Sequence, residues 1–100
     1  MSVQAPPAWT SSIVEFVRRC EAAYRDAGFP AVIITSWWRD RRHNAEVGGH
    51  PSSQHLTGTA LDLAKTPEAT RFAQHARRYG MIAVDEGDHW HVQLFGGTRT

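Results

Sequence analysis

The sequence predicts an α+β domain in which a small antiparallel sheet packs with two main helices. Three observations carry that prediction. Two stretches repeat apolar residues at three- and four-residue steps, which is the period of an amphipathic helix. Short β-branched or alternating runs lie outside them, near residues 31–35, 57–63, 81–84 and 89–95. No repeat, linker or low-complexity segment divides the 100 residues, so a single domain over 1–100 is expected, with 1–9 as an extended arm.

The elements follow in order. Pro6-Pro7 blocks helix in the arm. Ser12-Ile13-Val14-Glu15 fits a capping box, and Ile13, Phe16, Val17, Cys20, Tyr24 and Ala27 then form an apolar stripe that Gly28 ends. After Pro30, Ala31–Thr35 reads as a short buried strand. Asp40–Val47 can form a short helix stopped by Gly48-Gly49, and His50–Ser53 reads as loop. Thr57–Leu63 alternates with period two. Thr66-Pro67-Glu68 is a helix start, with a capping threonine, a proline in the first turn and an acid at the positive dipole end. Phe72, Ala73, Ala76 and Tyr79 give that helix its apolar stripe before Gly80. Met81–Val84 and His89–Phe95 are strands joined by the acidic turn Asp85-Glu86-Gly87-Asp88.

Composition excludes several classes of function. Hydrophobic residues at 41% and charged residues at 21% suit a globular chain and not a disordered one. A net charge of +1 argues against binding nucleic acid by bulk charge, and Asp40 interrupts the one basic run, Arg39–Arg42. The aliphatic run Ala31–Ile34 is far short of the roughly 20 residues a membrane helix needs. The N-terminus lacks the basic and apolar regions of a secretory signal, so synthesis in a bacterial or host cytoplasm is expected. The lone Cys20 excludes an internal disulfide, which leaves a bound metal as a source of extra stability for a small domain. Gly48-Gly49 is no phosphate loop, and Ser53 lacks the neighbours of a nucleophile elbow.

Six histidines are many for this length, and five of them fall in two short regions. Imidazole nitrogen and carboxylate oxygen suit zinc, which in catalytic sites takes three protein ligands and keeps a fourth position for water. Candidates are His55, Asp62, His89 and His91, the last two projecting to one face of a strand by alternation. A burial argument adds to this, because a mid-strand carboxylate is costly to bury unless it meets a cation. His43, His50 and His75 read as surface or hydrogen-bonded residues.

Four segments carry a resemblance. Ser53-Gln54-His55-Leu56-Thr57-Gly58-Thr59-Ala60-Leu61-Asp62 resembles the S-x-H-x-x-G-x-A-x-D signature of the zinc D-alanyl-D-alanine peptidases. That family comprises VanX/VanY-like carboxypeptidases and phage L-alanyl-D-glutamate endolysins, within the lysostaphin/D-Ala-D-Ala/sonic-hedgehog zinc fold. Asp88-His89-Trp90-His91 is similar to its second motif, Ile34–Arg39 to its serine-aromatic-arginine segment, and Asn44–Gly49 to the run before the first motif. The resemblance implies His55, Asp62 and His91 as ligands of one zinc ion. It implies Asp88 as general base and Arg39 as the group that steadies substrate or oxyanion. Many relatives carry glutamate as the base; here Asp88 holds that place, with Glu86 as a rival. Strand alternation puts both acids on the face away from His91, so the chain must turn at Gly87-Asp88. His89 could contact substrate or replace a ligand. Ser53 is expected to hydrogen-bond near the metal or orient a ligand, Trp37 to wall the groove or join the core, and Trp90 to pack behind the site.

The function so implied is zinc-dependent hydrolysis of peptidoglycan stem peptides, of D-Ala-D-Ala carboxypeptidase or L-Ala-D-Glu endopeptidase type. An endolysin-like enzyme is expected, monomeric, free of nucleic acid and membrane insertion, acting on the wall after release or from a virion. The alternative is a non-catalytic zinc-containing binding module on the same fold.

Overall fold

A computed structural model describes residues 3–27 and 32–94. Helix α1 spans Ser11–Ala27, strand β1 Ile34–Ser36, helix α2 Arg41–Glu46, strand β2 Ala60–Ala64, helix α3 Pro67–His75, and strands β3 and β4 Met81–Asp85 and His89–Leu94. Short 3-10 turns cover Gln54–Thr57 and Ala76–Tyr79. The strands form one antiparallel sheet in the order β1-β2-β4-β3. The α+β class expected from the sequence is the class observed. The stops expected at Gly28 and Pro30, with Ala31 and Phe95, lie outside the described residues.

One face of the sheet carries the core. Leu61 and Leu63 of β2, Val92 of β4 and Met81 of β3 pack with Phe16 and Ala23 of α1 and with Ala69, Phe72 and Ala76. Alternation sends Asp62 of β2 and His89, His91 and Gln93 of β4 to the other face. The register sets Asp62 directly opposite His91 and Leu63 opposite Trp90. That pairing brings the site together.

Three local expectations are corrected. The cap of α1 is Thr10, whose Oγ1 accepts from Ile13 N at 3.2 Å, and Glu15 instead pairs with Arg19 at 2.9 Å. The helix starts at Ser11, so the cap falls on Thr10, Ser12 lies inside the first turn and no Ser12–Glu15 box forms. The first strand is not buried: Ile33 and Ile34 are 58% and 39% exposed. β1 lies at the sheet edge with one neighbour and an irregular register between Ile34 and Ser36, so half of each residue's surroundings is open. Residues 57–59 precede β2 rather than belonging to it. Gly58, at φ +75°, ends the 3-10 turn in the left-handed region, and a Cβ there would lie 2.8 Å from Pro6 Cγ.

The other elements agree. Asp40 caps α2 by accepting from His43 N at 2.7 Å. Thr66 caps α3 by accepting from Ala69 N at 3.0 Å, with Pro67 and Glu68 in the first turn. Gly80, at φ +72°, closes the following 3-10 turn. Among the described residues no helix is long and apolar enough to cross a membrane.

Candidate metal centre

His55 enters the site on the 3-10 turn. Ser53 Oγ caps that turn by accepting from His55 N at 3.2 Å, and the serine is 1% exposed. The segment Trp37-Trp38-Arg39 clasps the same turn. The Trp37 and Trp38 indoles donate to Gly58 O at 2.8 Å and Leu56 O at 3.1 Å, and Arg39 N donates to His55 O at 3.0 Å. Trp37 also packs edge-on to Trp9 and joins the rim of the core. Both tryptophans therefore buttress the histidine loop.

His55, Asp62 and His91 converge, each buried, with one ligand atom apiece within 4.8 Å of the others. His55 Nε2 lies 3.1 Å and His91 Nδ1 3.2 Å from the same oxygen, Asp62 Oδ1. The opposite ring nitrogens are engaged with acceptors. His55 Nδ1 donates to Trp37 O at 2.6 Å, and His91 Nε2 to Gln93 Oε1 at 2.8 Å. These acceptors call for hydrogen on the outer nitrogens, and in a neutral ring the nitrogen that faces the carboxylate is then the one with the lone pair. Two imidazole nitrogens turned toward one anionic oxygen are bridged by positive charge, either hydrogen on the rings, which then donate to Asp62, or a cation bound in its place. A divalent cation supplies it, so the donor set fits zinc.

The second oxygen of Asp62 is held differently. Arg39 Nη2 donates to Asp62 Oδ2 at 2.7 Å, Nε to Ser36 Oγ at 3.0 Å and Nη1 to Asn44 Oδ1 at 3.2 Å. Asn44 Nδ2 in turn donates to His50 O at 2.8 Å. Burial alone would raise the Asp62 pKa. Hydrogen bonds from His55 and His91 and the charges of His55 and Arg39 outweigh it and hold the carboxyl well below the usual range.

The turn into β4 brings up a second set of groups. Gly87 takes φ +90°, and Glu86 N donates to His89 O at 3.0 Å. This is the turn that strand alternation required, and it treats the two acids differently. Glu86 faces inward, its side chain 20% exposed, with Oε1 2.9 Å from His89 Nε2. Asp88 faces outward at 91% exposed, with Oδ1 2.6 Å from His89 Nδ1. His89 Nε2 also lies 3.8 Å from Asp62 Oδ1. Burial alone would lower the His89 pKa, but the carboxylates of Asp88, Asp62 and Glu86 overturn that and raise it. The bond from His89 holds Asp88 below the usual carboxylate range. Trp90 lies across the sheet from these groups, its indole donating to Thr70 Oγ1 at 3.3 Å beneath Lys65 Nζ.

The sequence model of the Peptidase M15 family matches residues 2–93. The chain belongs to the Peptidase M15 family. These are the zinc D-Ala-D-Ala peptidases, metallopeptidases that act on peptidoglycan-type substrates. No curated protein matches the chain. Within this M15 domain the structure gathers His55, Asp62 and His91, joins Arg39 and Ser53 to them by hydrogen bonds, and brings His89 alongside. Asp88 reaches the group only through His89, and His43, His50 and His75 stay outside it. Two residues escaped the sequence reading. Gln93 follows His91 by two and therefore shares its face, a signal that alternation offered. Asn44 opened the run that resembles the family's lead into the first motif but was given no role, since its contact with Arg39 depends on how α2 packs.

Proposed function

We propose that this chain is a zinc peptidase that hydrolyses the stem peptides of bacterial peptidoglycan, of D-Ala-D-Ala carboxypeptidase or L-Ala-D-Glu endopeptidase type. An endolysin-like lytic role is part of the same reading. The observation that carries it is the convergence of two buried imidazole nitrogens, His55 Nε2 and His91 Nδ1, on one oxygen, Asp62 Oδ1. His55, Asp62 and His91 would hold the ion. Bound there, zinc supplies a water acidified toward a pKa of about 7 and a Lewis acid for the scissile carbonyl.

The chain's own groups do the rest. Trp37 O and Gln93 Oε1 keep both histidines in the tautomer that binds. Ser53 orients His55 through its backbone. Arg39 holds Asp62 Oδ2, and the family resemblance gives its fixed charge the role of steadying the substrate or its oxyanion. Asp88, three residues before His91, would serve as the general base, taking a water proton and returning it to the leaving amine, and His89 would contact the substrate. Glu86 is a second candidate for the base, favoured by its inward orientation.

Digestion of purified peptidoglycan with the zinc-loaded protein, followed by mass spectrometry of the fragments, tests the proposal. New termini at one stem-peptide bond, abolished in His55→Ala, are expected; intact stems would overturn it. The non-catalytic binding module is the second reading, favoured by the inward engagement of Arg39 and the outward Asp88. It predicts wall binding without cleavage, and unchanged lysis in both Asp88→Asn and Glu86→Gln would rule out either acid as the base.

A further inference from the structure

Arg39 is held at all three of its guanidinium nitrogens, and the acceptor on Nη1 is a side chain that the proposed chemistry does not use. Asn44 is 2% exposed, on the short helix α2, and its amide is engaged at both ends. Nδ2 donates to His50 O at 2.8 Å, and Oδ1 accepts from Arg39 Nη1 at 3.2 Å. A backbone carbonyl only accepts and a guanidinium only donates, so this orientation of the amide is the one that satisfies both neighbours. The Asn44 backbone is fixed as well: its N donates to Asp40 O at 2.9 Å, and its O accepts from Gly49 N at 2.8 Å. The second glycine of the Gly48-Gly49 pair has a reason of its own to be glycine. Gly48 takes the left-handed φ of +75° and Gly49 does not, yet a Cβ at Gly49 would overlap Asn44 Oδ1 and lie 2.7 Å from its Cγ.

What this bracing prevents follows from the chemistry of the ion pair. A guanidinium free to turn takes a carboxylate through two parallel N–H···O bonds, one to each oxygen. At Asp62 such a fork would cover Oδ1, the oxygen that His55 Nε2 and His91 Nδ1 approach at 3.1 and 3.2 Å. In the structure Arg39 donates to Oδ2 alone, at 2.7 Å, with Nε on Ser36 Oγ and Nη1 on Asn44 Oδ1. We propose that Asn44 is a positioning residue that holds Arg39 to one oxygen of Asp62 and so keeps the other for the cation, with Gly49 making room for it. That assignment rests on the proposed function only in taking Oδ1 as the oxygen that meets the metal.

Zinc affinity of the intact chain, read by competition against a chromogenic chelator, tests this without any need for cleavage. Asn44→Ala is expected to weaken binding about tenfold, the lower end of what loss of a supporting bond costs a metal site. Gly49→Ala should do the same by pushing the Asn44 side chain aside. It should add nothing in an Asn44→Ala background, because the two substitutions act through one contact. In an Arg39→Met background neither should alter the affinity, since the group they restrain is gone. Unchanged affinity in both single variants would overturn the proposal. So would a loss just as large with Arg39 replaced, which would mark Asn44 as a residue of the fold alone. Failure of the unaltered chain to bind zinc would overturn this role together with the metal reading, whereas tight binding without cleavage of stem peptides would overturn only the proposed activity.

Discussion

Arg39 and Asp62 form a largely buried ion pair, 2.7 Å between Nη2 and Oδ2, on the side of the carboxylate turned away from the two histidines. The same aspartate thus answers to a fixed protein cation through one oxygen and to the candidate metal position through the other. Removing one partner of a buried pair leaves an uncompensated charge and costs about 3–5 kcal/mol. Arg39→Met is therefore expected to destabilise the metal-free protein by an amount of that order. Bound zinc restores a cation to Asp62, so the loss should shrink in the zinc-loaded form. Urea denaturation with chelator and with zinc checks this, and equal losses in the two forms would argue against the coupling.

Metal removal has its own expected outcome. A ligand that binds the native state alone adds about 2.7 kcal/mol when present at 100 times its dissociation constant. Chelation should therefore lower the Tm of the unaltered protein and leave that of His55→Ala unchanged. Zinc affinity should also weaken as the solution is acidified, because the imidazoles must shed protons to bind. Calorimetric scans with and without chelator, and zinc titrations at neutral and mildly acid pH, provide the measurements.

Gln93 is buried and accepts from His91 Nε2 at 2.8 Å. Losing such a supporting bond typically costs about 10–100-fold in metal affinity. Gln93→Leu is expected to weaken zinc binding by that factor while the fold survives. A competition titration against a chromogenic chelator reads the change, and unaltered affinity would show that Gln93 does not orient the ring.

Cys20 sits against Met81 Sδ at 3.7 Å, and burial, reinforced by the neighbouring Glu21 charge, pushes its thiol up to about 12. The thiolate is the reactive form. In the native protein Cys20 should therefore resist a thiol reagent at pH 8 and react fully once denaturant is added. Rapid native labelling would contradict this placement.

Much of this protein was legible in one dimension. The stripe through Ile13, Phe16 and Cys20, the Thr66-Pro67-Glu68 start and the glycine stops at Gly48 and Gly80 are local signals, because helix periodicity and capping involve residues three or four apart. The metal candidates His55, Asp62 and His91 were legible too, because burying a mid-strand carboxylate calls for a cation and the family resemblance of the two motifs implied its partners. The tertiary structure alone decided how these groups meet. The register of β2 against β4 set Asp62 opposite His91, and packing gave each nitrogen of the Arg39 guanidinium a protein acceptor. Gly87 sent Glu86 toward Asp62 and Asp88 toward solvent, while the edge position of β1 exposed residues whose composition reads as core. Those outcomes depend on contacts between residues distant along the chain and on the direction of individual side chains, which periodicity and propensity do not encode.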